Sequence, residues 1–170
     1  MNKNNLLKLK LRLVPDIGPI RYNRLINYFG SAENIFNTDI NTLCRVKGIS
    51  HNISSNIIDK KNELDKQLEK ELSLIHKHNI DVVFYNEKHY PKPLINIPNP
   101  PPVLYIKGKW QDQDEVSIAI VGTRHSSTYG SMTAQRFASD LAENGITIIS
   151  GLARGIDTRA HVGALKTGRT

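Results

Sequence analysis

Two short apolar runs constrain the fold more than any other feature, because each leads into a glycine-containing loop and then into a helical pattern. The first run covers residues 116–121 and precedes the loop 122–128, and the second covers residues 146–149 and precedes the loop 150–156. A strand, a glycine loop and a helix repeated in tandem form the beginning of a doubly wound parallel sheet. Loops at the carboxyl ends of parallel strands lie at one edge of such a sheet, so both loops are expected to meet there.

The residue types in these loops suit contact with a phosphate group. Gly122 and Gly151 lie where a strand passes into a loop, so bare backbone N–H groups can approach a phosphate closely. Arg124 and Arg154 carry planar guanidinium groups that match phosphate oxygens, and the helix N-terminus after each loop adds partial positive charge. Because phosphate contacts do not read bases, the pattern predicts binding that is salt-sensitive and nearly independent of sequence.

The composition of the chain limits the kinds of binding partner and the cellular compartment that we expect for it. The chain of 170 residues is 39% apolar and carries a net charge of +7, which favours a polyanionic partner such as nucleic acid, although charge alone does not decide this. It contains no apolar run of membrane-spanning length and no signal peptide, so we expect a soluble, cytoplasmic protein without a membrane partner. The single cysteine, Cys44, excludes an internal disulfide and a cysteine-cluster metal site.

The first 78 residues are expected to form a helical domain. Residues 1–14 fit either a strand or a helix, since their leucines satisfy both periods, and Pro15 ends the element in either case. Further helices are predicted over 20–29, 31–36, 38–46 and 50–78.

Two segments of this helical region, 14–18 and 46–50, are similar to the hairpin of a helix-hairpin-helix unit. In that hairpin two glycines let backbone N–H groups approach a DNA phosphate. Each copy here lacks one glycine, which is replaced by Asp16 in the first and by Ser50 in the second, and Asp16 would also repel a phosphate. We therefore expect a module for packing or protein contact rather than a tight DNA clamp.

Residues 79–170 should form a second domain that contains the parallel sheet. Strands are predicted over 80–85 and 103–106 as candidate extensions of that sheet, and the proline-rich stretch between them should run extended along a surface. The strand at 146–149 would still lack a neighbour on one side, which leaves backbone groups unpaired. Either the chain is truncated or a partner chain completes the sheet.

The sequence also predicts how the sheet and its helices are packed. The strand at 116–121 is almost wholly apolar and should be covered on both faces. Asp157 should cap the last helix, which ends at Gly168. The preceding helix, 129–144, should turn inward the side chains of Phe137, Ala138, Leu141 and Ala142.

Two motifs are specific when they are taken together. They are Ile120-Val121-Gly122-Thr123-Arg124 with Ser126, Tyr129 and Gly130, and Ser150-Gly151-Leu152-Ala153-Arg154-Gly155-Ile156-Asp157 with Ala160-His161 and Ala164-Leu165. Both closely resemble motifs of the DprA/Smf family of DNA-processing proteins. The resemblance extends upstream over Tyr90-Pro91, Leu94, Pro98, Pro102, Leu104-Tyr105 and Gly108, and thus covers nearly the whole chain.

The resemblance implies an α/β fold in two parts. A sterile-alpha-motif-like domain with a degenerate helix-hairpin-helix, residues 1–78, would precede the first part of an extended Rossmann-like sheet, residues 79–170. The implied function is that of a recombination mediator, which binds and protects single-stranded DNA during natural transformation and loads the RecA recombinase onto it. Family members form homodimers, but much of their surface for dimerisation and for RecA lies beyond the equivalent of residue 170, so this chain is expected to be C-terminally truncated.

The resemblance also assigns the DNA-binding residues. The DNA-contacting arginine of the family's first loop corresponds to Arg124, and the basic residue of its second loop corresponds to Arg154. Apart from the resemblance, the residues themselves make Tyr129 the one candidate for base stacking, with packing at a helix start as the alternative. The predicted nucleic-acid-binding residues are Gly122, Thr123, Arg124, Ser126, Tyr129, Gly151, Arg154 and Gly155.

We expect no enzymatic activity, no cofactor and no metal. The sequence lacks a Gly-x-Gly-x-x-Gly motif after its first strand and a Walker lysine motif, which argues against a dinucleotide and against an ATPase. Asp157 and His161 are spaced to pair on one helix face, but no nucleophile accompanies them. Two alternatives stay open, a fragment of a Rossmann-like hydrolase that binds nucleotides or phosphate, and a remnant without function.

Overall fold

The computed structural model describes all 170 residues and has an α/β fold, as predicted. The chain divides into two compact units, Met1–Lys109 and Trp110–Thr170. This division reflects contacts between residues and does not test the domain boundary predicted after residue 78, which stays a prediction. None of the helices combines the length and the apolar character that a membrane span requires.

The helical part of the first unit begins with the segment whose pattern was ambiguous. Most of this segment, Lys3–Leu13, forms a helix, which Asn2 caps by accepting a hydrogen bond from the Asn5 N–H at 2.8 Å. Both periods fitted because this helix is buried on two sides, with Leu11 in the main helical core and Leu9 in a second apolar cluster. The helices are α1 Lys3–Leu13, α2 Pro19–Phe29, α3 Ala32–Phe36, α4 Ile40–Leu43, α5 His51–Ile58 and α6 Lys61–Lys77.

The single helix predicted over 50–78 is wrong in one respect, because the structure breaks it between Ile58 and Lys61. The apolar side chains of these two helices divide between two clusters, and the division falls within α6. Side chains of α5 and the start of α6 join the helical core, whereas those further along α6 join the second cluster. The first group is Ile53, Ile57 and Leu64, and the second is Leu68, Leu72 and Ile75.

Arginines of α2 hold the two hairpin-like turns together. Asp16 has a φ of 63°, so it adopts the left-handed conformation that usually favours glycine. Arg21 donates to the carbonyl oxygens of Asp16 and Gly48 at 2.7 and 2.9 Å, and Arg24 donates to that of Lys47 at 2.9 Å. Carbonyl oxygens of both turns are therefore engaged in internal packing.

The remainder of the first unit is a β-hairpin with a long connection. Strands β1 Asp81–Phe84 and β2 Val103–Ile106 lie where the sequence predicts them, but they pair antiparallel in a sheet of their own and do not extend the parallel sheet. The expectation of a wholly extended connection is wrong at α7 Lys92–Ile95. A single turn can form there because proline is tolerated in the first turn of a helix, where N–H groups have no partner within the helix.

The second unit is a two-stranded parallel sheet with two helices. Ile118 lies opposite Ile148 in the strand register. The order of strand, loop and helix is the predicted one, although each strand has only three residues. The elements are β3 Ser117–Ala119, α8 Thr128–Glu143, β4 Thr147–Ile149 and α9 Ile156–Thr167.

Small side chains form the core of this unit, because α8 and α9 approach closely. Gly163 faces the backbone carbonyl of Gln135, where no larger residue would fit. Phe137, which was predicted to face inward, is 51% exposed, and the strand predicted to be covered on both faces leaves Ile118 and Val121 exposed. The core consists of Ala138, Ala142, Ile148, Ala160 and Ala164, with Ile120 and Leu141 packed against it.

No further strand lies beside β4, as expected, but the expectation that its outer backbone groups are unpaired is wrong at Ile148. The Ile148 N–H donates to the Arg169 carbonyl oxygen at 3.0 Å, and the Thr170 hydroxyl donates to the Ile148 carbonyl oxygen at 2.6 Å. The Arg169 guanidinium donates to both carboxylate oxygens of the buried Asp114, at 2.5 and 2.8 Å, and the Thr147 hydroxyl donates to the same carboxylate at 2.9 Å. Hydrogen bonding by Arg169 lowers the pKa of Asp114 to about 2.

Candidate nucleic-acid interface

The loops that follow the two parallel strands lie in direct contact. We call residues 120–127 the first loop and residues 150–155 the second loop. The Ile156 N–H, which follows the second loop directly, donates to the Thr123 carbonyl oxygen of the first loop at 3.2 Å. The two loops therefore form one continuous surface at the carboxyl edge of the sheet.

Gly155 allows the loops to approach this closely. Its φ is 81°, and a Cβ atom added there would lie 2.3 Å from the Thr123 carbonyl oxygen and 2.7 Å from the Arg124 carbonyl oxygen. A larger residue at this position would push the first loop away from the second.

Gly122 and Gly151 make room for the first turn of α9. A Cβ atom at Gly122 would lie 2.8 Å from the Ile156 side chain, and one at Gly151 would lie 2.8 Å from a carboxylate oxygen of Asp157. The space beside each glycine is therefore filled by the protein itself.

Asp157 connects the two loops. Its buried carboxylate accepts hydrogen bonds from the backbone N–H groups of Gly122 at 3.3 Å, Gly151 at 3.1 Å and Ala153 at 3.4 Å. The prediction that Asp157 caps α9 is wrong, because Gly155 is the N-cap and provides no side-chain bond. The Asp157 side chain instead points back toward the loops, as side chains in the first turn of a helix do.

His161 has a different partner from the one its spacing suggested. Its Nδ1 atom lies 2.6 Å from the Thr170 hydroxyl, and the structure contains no hydrogen bond between His161 and Asp157. The acidic and imidazole groups therefore do not act as a pair.

Arg124 and Arg154 lie one on each of the touching loops, and both are exposed. Neither guanidinium group forms a hydrogen bond or an ion pair within the chain. The nearby carboxylate of Asp157 is buried and occupied by backbone donors. The two positive charges are thus available to an external anion.

Three of the predicted nucleic-acid-binding residues remain. Thr123 and Ser126 form hydrogen bonds that shape the first loop, and Tyr129 faces solvent. Thr123 accepts a hydrogen bond from the His125 N–H at 3.2 Å, and the hydroxyls of Ser126 and Ser131 lie 2.8 Å apart. Tyr129 is 80% exposed, so its ring is not used for packing.

Leu152 was not among the predicted site residues, although its exposure is unusual. The side chain is 83% exposed, and the residue has a φ of 56°, which is uncommon for a branched apolar residue. It lies in the second loop, two residues before Arg154. The sequence signal was an apolar residue inside a glycine loop, which is easily mistaken for a core residue.

Comparison with known proteins shows the family of the chain. Residues 81–170, more than half of the chain, match the family described as DNA recombination-mediator protein A. This chain belongs to the DprA/Smf family. Protein Smf of Synechocystis is 33% identical over 165 residues, which cover 92% of this chain and 40% of that protein.

Two DprA proteins extend the comparison. DNA processing protein DprA of Bacillus subtilis is 35% identical over 118 residues, which cover 65% of this chain and 39% of that protein. The crystal structure of DprA from Streptococcus pneumoniae superposes on the whole chain with a TM-score of 0.73 and 25% identity, and 56% of that chain is covered. This DprA/Smf chain therefore spans about 40% of the length of the Synechocystis and Bacillus relatives.

Proposed function

We propose that this chain binds single-stranded DNA through the sugar–phosphate backbone and has no enzymatic activity. The observation that carries the proposal is the pair of exposed, unpartnered guanidinium groups, Arg124 and Arg154, on two loops that touch. Planar guanidinium groups match phosphate oxygens in geometry and charge. Phosphate contacts alone do not distinguish bases, so the expected binding is nearly independent of sequence.

Two exposed side chains, one shortly after the first loop and one in the second loop, would serve the bases. Tyr129 offers an aromatic ring for stacking, and Leu152 offers an apolar surface on the other loop. Unstacked bases present flat faces that gain from such contacts, whereas the paired bases of a duplex do not. This is why we propose single-stranded rather than double-stranded DNA.

The cellular role that we propose follows from family membership. The chain would act in the cytoplasm as a recombination mediator during natural transformation, protecting incoming DNA and loading RecA onto it. The chain matches about 40% of the length of each of these two relatives, so we expect contacts with RecA and homodimerisation to involve the rest of that length as well.

Replacing both Arg124 and Arg154 with alanine is expected to weaken oligonucleotide binding by about thirtyfold, since each lost phosphate contact is worth roughly 1 kcal/mol. The slope of log affinity against log salt should also become shallower by about 1.4, because roughly 0.7 is lost per phosphate contact to a single strand. Fluorescence anisotropy with a labelled oligonucleotide over a range of salt concentrations measures both quantities.

The matched control removes two positive charges from elsewhere in the same unit. Arg136 and Lys166 lie together on α8 and α9, outside both loops. Their double alanine variant should lose little affinity. Equal losses in the two double variants would show that net charge, and not the loops, binds DNA. Turnover of a nucleotide by the unmodified chain would favour the hydrolase alternative instead.

A further inference from the structure

The environment of Asp157 is that of a bound anion rather than that of an ordinary helix residue. Three backbone N–H groups, from Gly122, Gly151 and Ala153, converge on its carboxylate, and the residue is only 6% exposed. The carboxylate also lies in the first turn of α9, where the helix dipole favours negative charge. Loops of this kind at the ends of parallel strands commonly use such donors to hold a phosphate group.

We infer that Asp157 is an internal substitute for phosphate, which fills the anion-binding position between the loops and keeps inorganic phosphate and nucleotides out of it. Two effects produce the exclusion. The carboxylate occupies the N–H donors, and its negative charge repels a second anion. The loops would then bind DNA only through side chains that project outward, such as Arg124 and Arg154, and this part of the inference rests on the proposed function.

Such exclusion gives selectivity for a polymer over small phosphates. A single phosphate could reach at most the exposed guanidinium groups, which are spread over two loops. A DNA strand offers several phosphates at fixed spacing, together with bases that can contact Tyr129 and Leu152. If the backbone N–H groups were free, inorganic phosphate and nucleotides could bind them and compete with DNA. Because Asp157 occupies these groups, that competition is removed.

The inference is tested first without DNA, so that it does not depend on the proposed function. Inorganic phosphate is added to the ¹⁵N-labelled chain, and the amide signals of Gly122, Gly151 and Ala153 are followed by NMR. In the unmodified chain these signals should show no saturable shift. In Asp157→Ala, which empties the position, they should shift and saturate, with phosphate affinity about tenfold above that of Asp157→Asn, which keeps the position filled.

DNA binding supplies the second test. Asp157→Ala lets a DNA phosphate reach the freed amides, so the salt slope should become steeper by about 0.7, while Asp157→Asn leaves the slope unchanged. Loss of helix stability alone would alter neither phosphate affinity nor the salt slope. Asp140→Asn, which neutralises an exposed carboxylate on α8, is the control and should behave like the unmodified chain.

Several outcomes would overturn the inference. Saturable phosphate shifts at the three amides of the unmodified chain would show that the position is open, and an Asp157→Ala variant that is folded but binds no phosphate would show that it is not an anion site. If that variant does not fold, Asp157→Ser, which also removes the carboxylate, replaces it in the phosphate titration: saturable shifts at the three amides support the inference, and a folded serine variant without them refutes it. A chain that binds no DNA but passes the phosphate test would refute only the proposed function.

Discussion

Replacing Gly163 with alanine is expected to destabilise the unit Trp110–Thr170 by about 2 kcal/mol. The added Cβ atom would lie 2.1 Å from the Gln135 carbonyl oxygen and 3.0 Å from the Ala138 Cβ atom. The carbonyl belongs to the backbone of α8, so it cannot rotate aside, and α8 and α9 must separate. Overpacking of this kind lowers the free energy of unfolding by about 3 kcal/mol, and the better helix propensity of alanine offsets about 1 kcal/mol of this loss.

The small size of the core makes this separation harmful. The buried side chains shared by α8 and α9 are mainly alanines, which make contact only when the helices are close. A shift of a fraction of an ångström therefore weakens many contacts together, because dispersion falls steeply with distance.

Urea denaturation, with hydrogen exchange at the amides of α8 and α9, measures the effect on this unit. The matched control is Gly130→Ala, which also adds a methyl group to a helical glycine of the same unit. Its Cβ atom would meet only the Ser127 hydroxyl, at 3.3 Å, and the Ile156 side chain, at 3.7 Å. Equal destabilisation by the two variants would contradict the close approach of the helices.

The features that the sequence predicted are those set by local patterns. The tandem order of strand, glycine loop and helix followed from the change between a continuous apolar run and a helical period, and both parallel strands are found where expected. The ambiguity of residues 1–14 also has a local cause, because a helix buried on two faces carries leucines that fit both periods.

The features that the sequence did not predict depend on distant neighbours. Of the four side chains predicted on the inward face of α8, Ala138, Leu141 and Ala142 lie in or against the core, and Phe137 is exposed. The close approach of the helices at Gly163 favours alanine on this face. The single apolar stripe over residues 53–75 likewise serves two separate clusters, which its helical period does not reveal.

The role of Asp157 was missed for a similar reason. The position of Asp157 before a helical segment is typical of a capping residue. Its carboxylate in fact accepts a hydrogen bond from the N–H group of Gly122, which lies 35 residues earlier in the sequence. A local pattern cannot reveal a bond over this separation. The sequence predicts that Gly122 and Gly151 expose their N–H groups to a phosphate. In the structure both N–H groups donate to Asp157 instead.

Replacing Asp114 with asparagine is expected to cost the unit Trp110–Thr170 about 2 kcal/mol at neutral pH. Asp114 is buried, and its carboxylate receives hydrogen bonds from Arg169, Thr147 and the Gln111 N–H. The variant removes the buried carboxylate charge that the Arg169 guanidinium faces, and breaking a buried pair costs about 3–5 kcal/mol. The smaller figure applies here because the Arg169 side chain is 31% exposed and can be partly solvated.

The same pair predicts an acid-dependent loss of stability, which separates the charge from the shape of the side chain. The pKa of Asp114 is lowered from 3.8 to about 2 in the folded chain, chiefly by hydrogen bonding from Arg169. A carboxyl group whose pKa is lower when folded stabilises the fold above its unfolded pKa, and this contribution is lost as the pH falls through the folded pKa. The difference corresponds to about 2 kcal/mol, lost between about pH 4 and about pH 2.

Urea denaturation at a series of pH values measures both effects. The free energy of unfolding of Asp114→Asn should fall less steeply in this acid range than that of the unmodified chain, so the two curves should converge near the folded pKa. Asp112→Asn, at an exposed carboxylate two residues earlier, should leave the pH dependence unchanged. Parallel curves for Asp114→Asn and the unmodified chain would show that the pair with Arg169 does not form, and that the residues following α9 are not held on the edge of β4 by this charge.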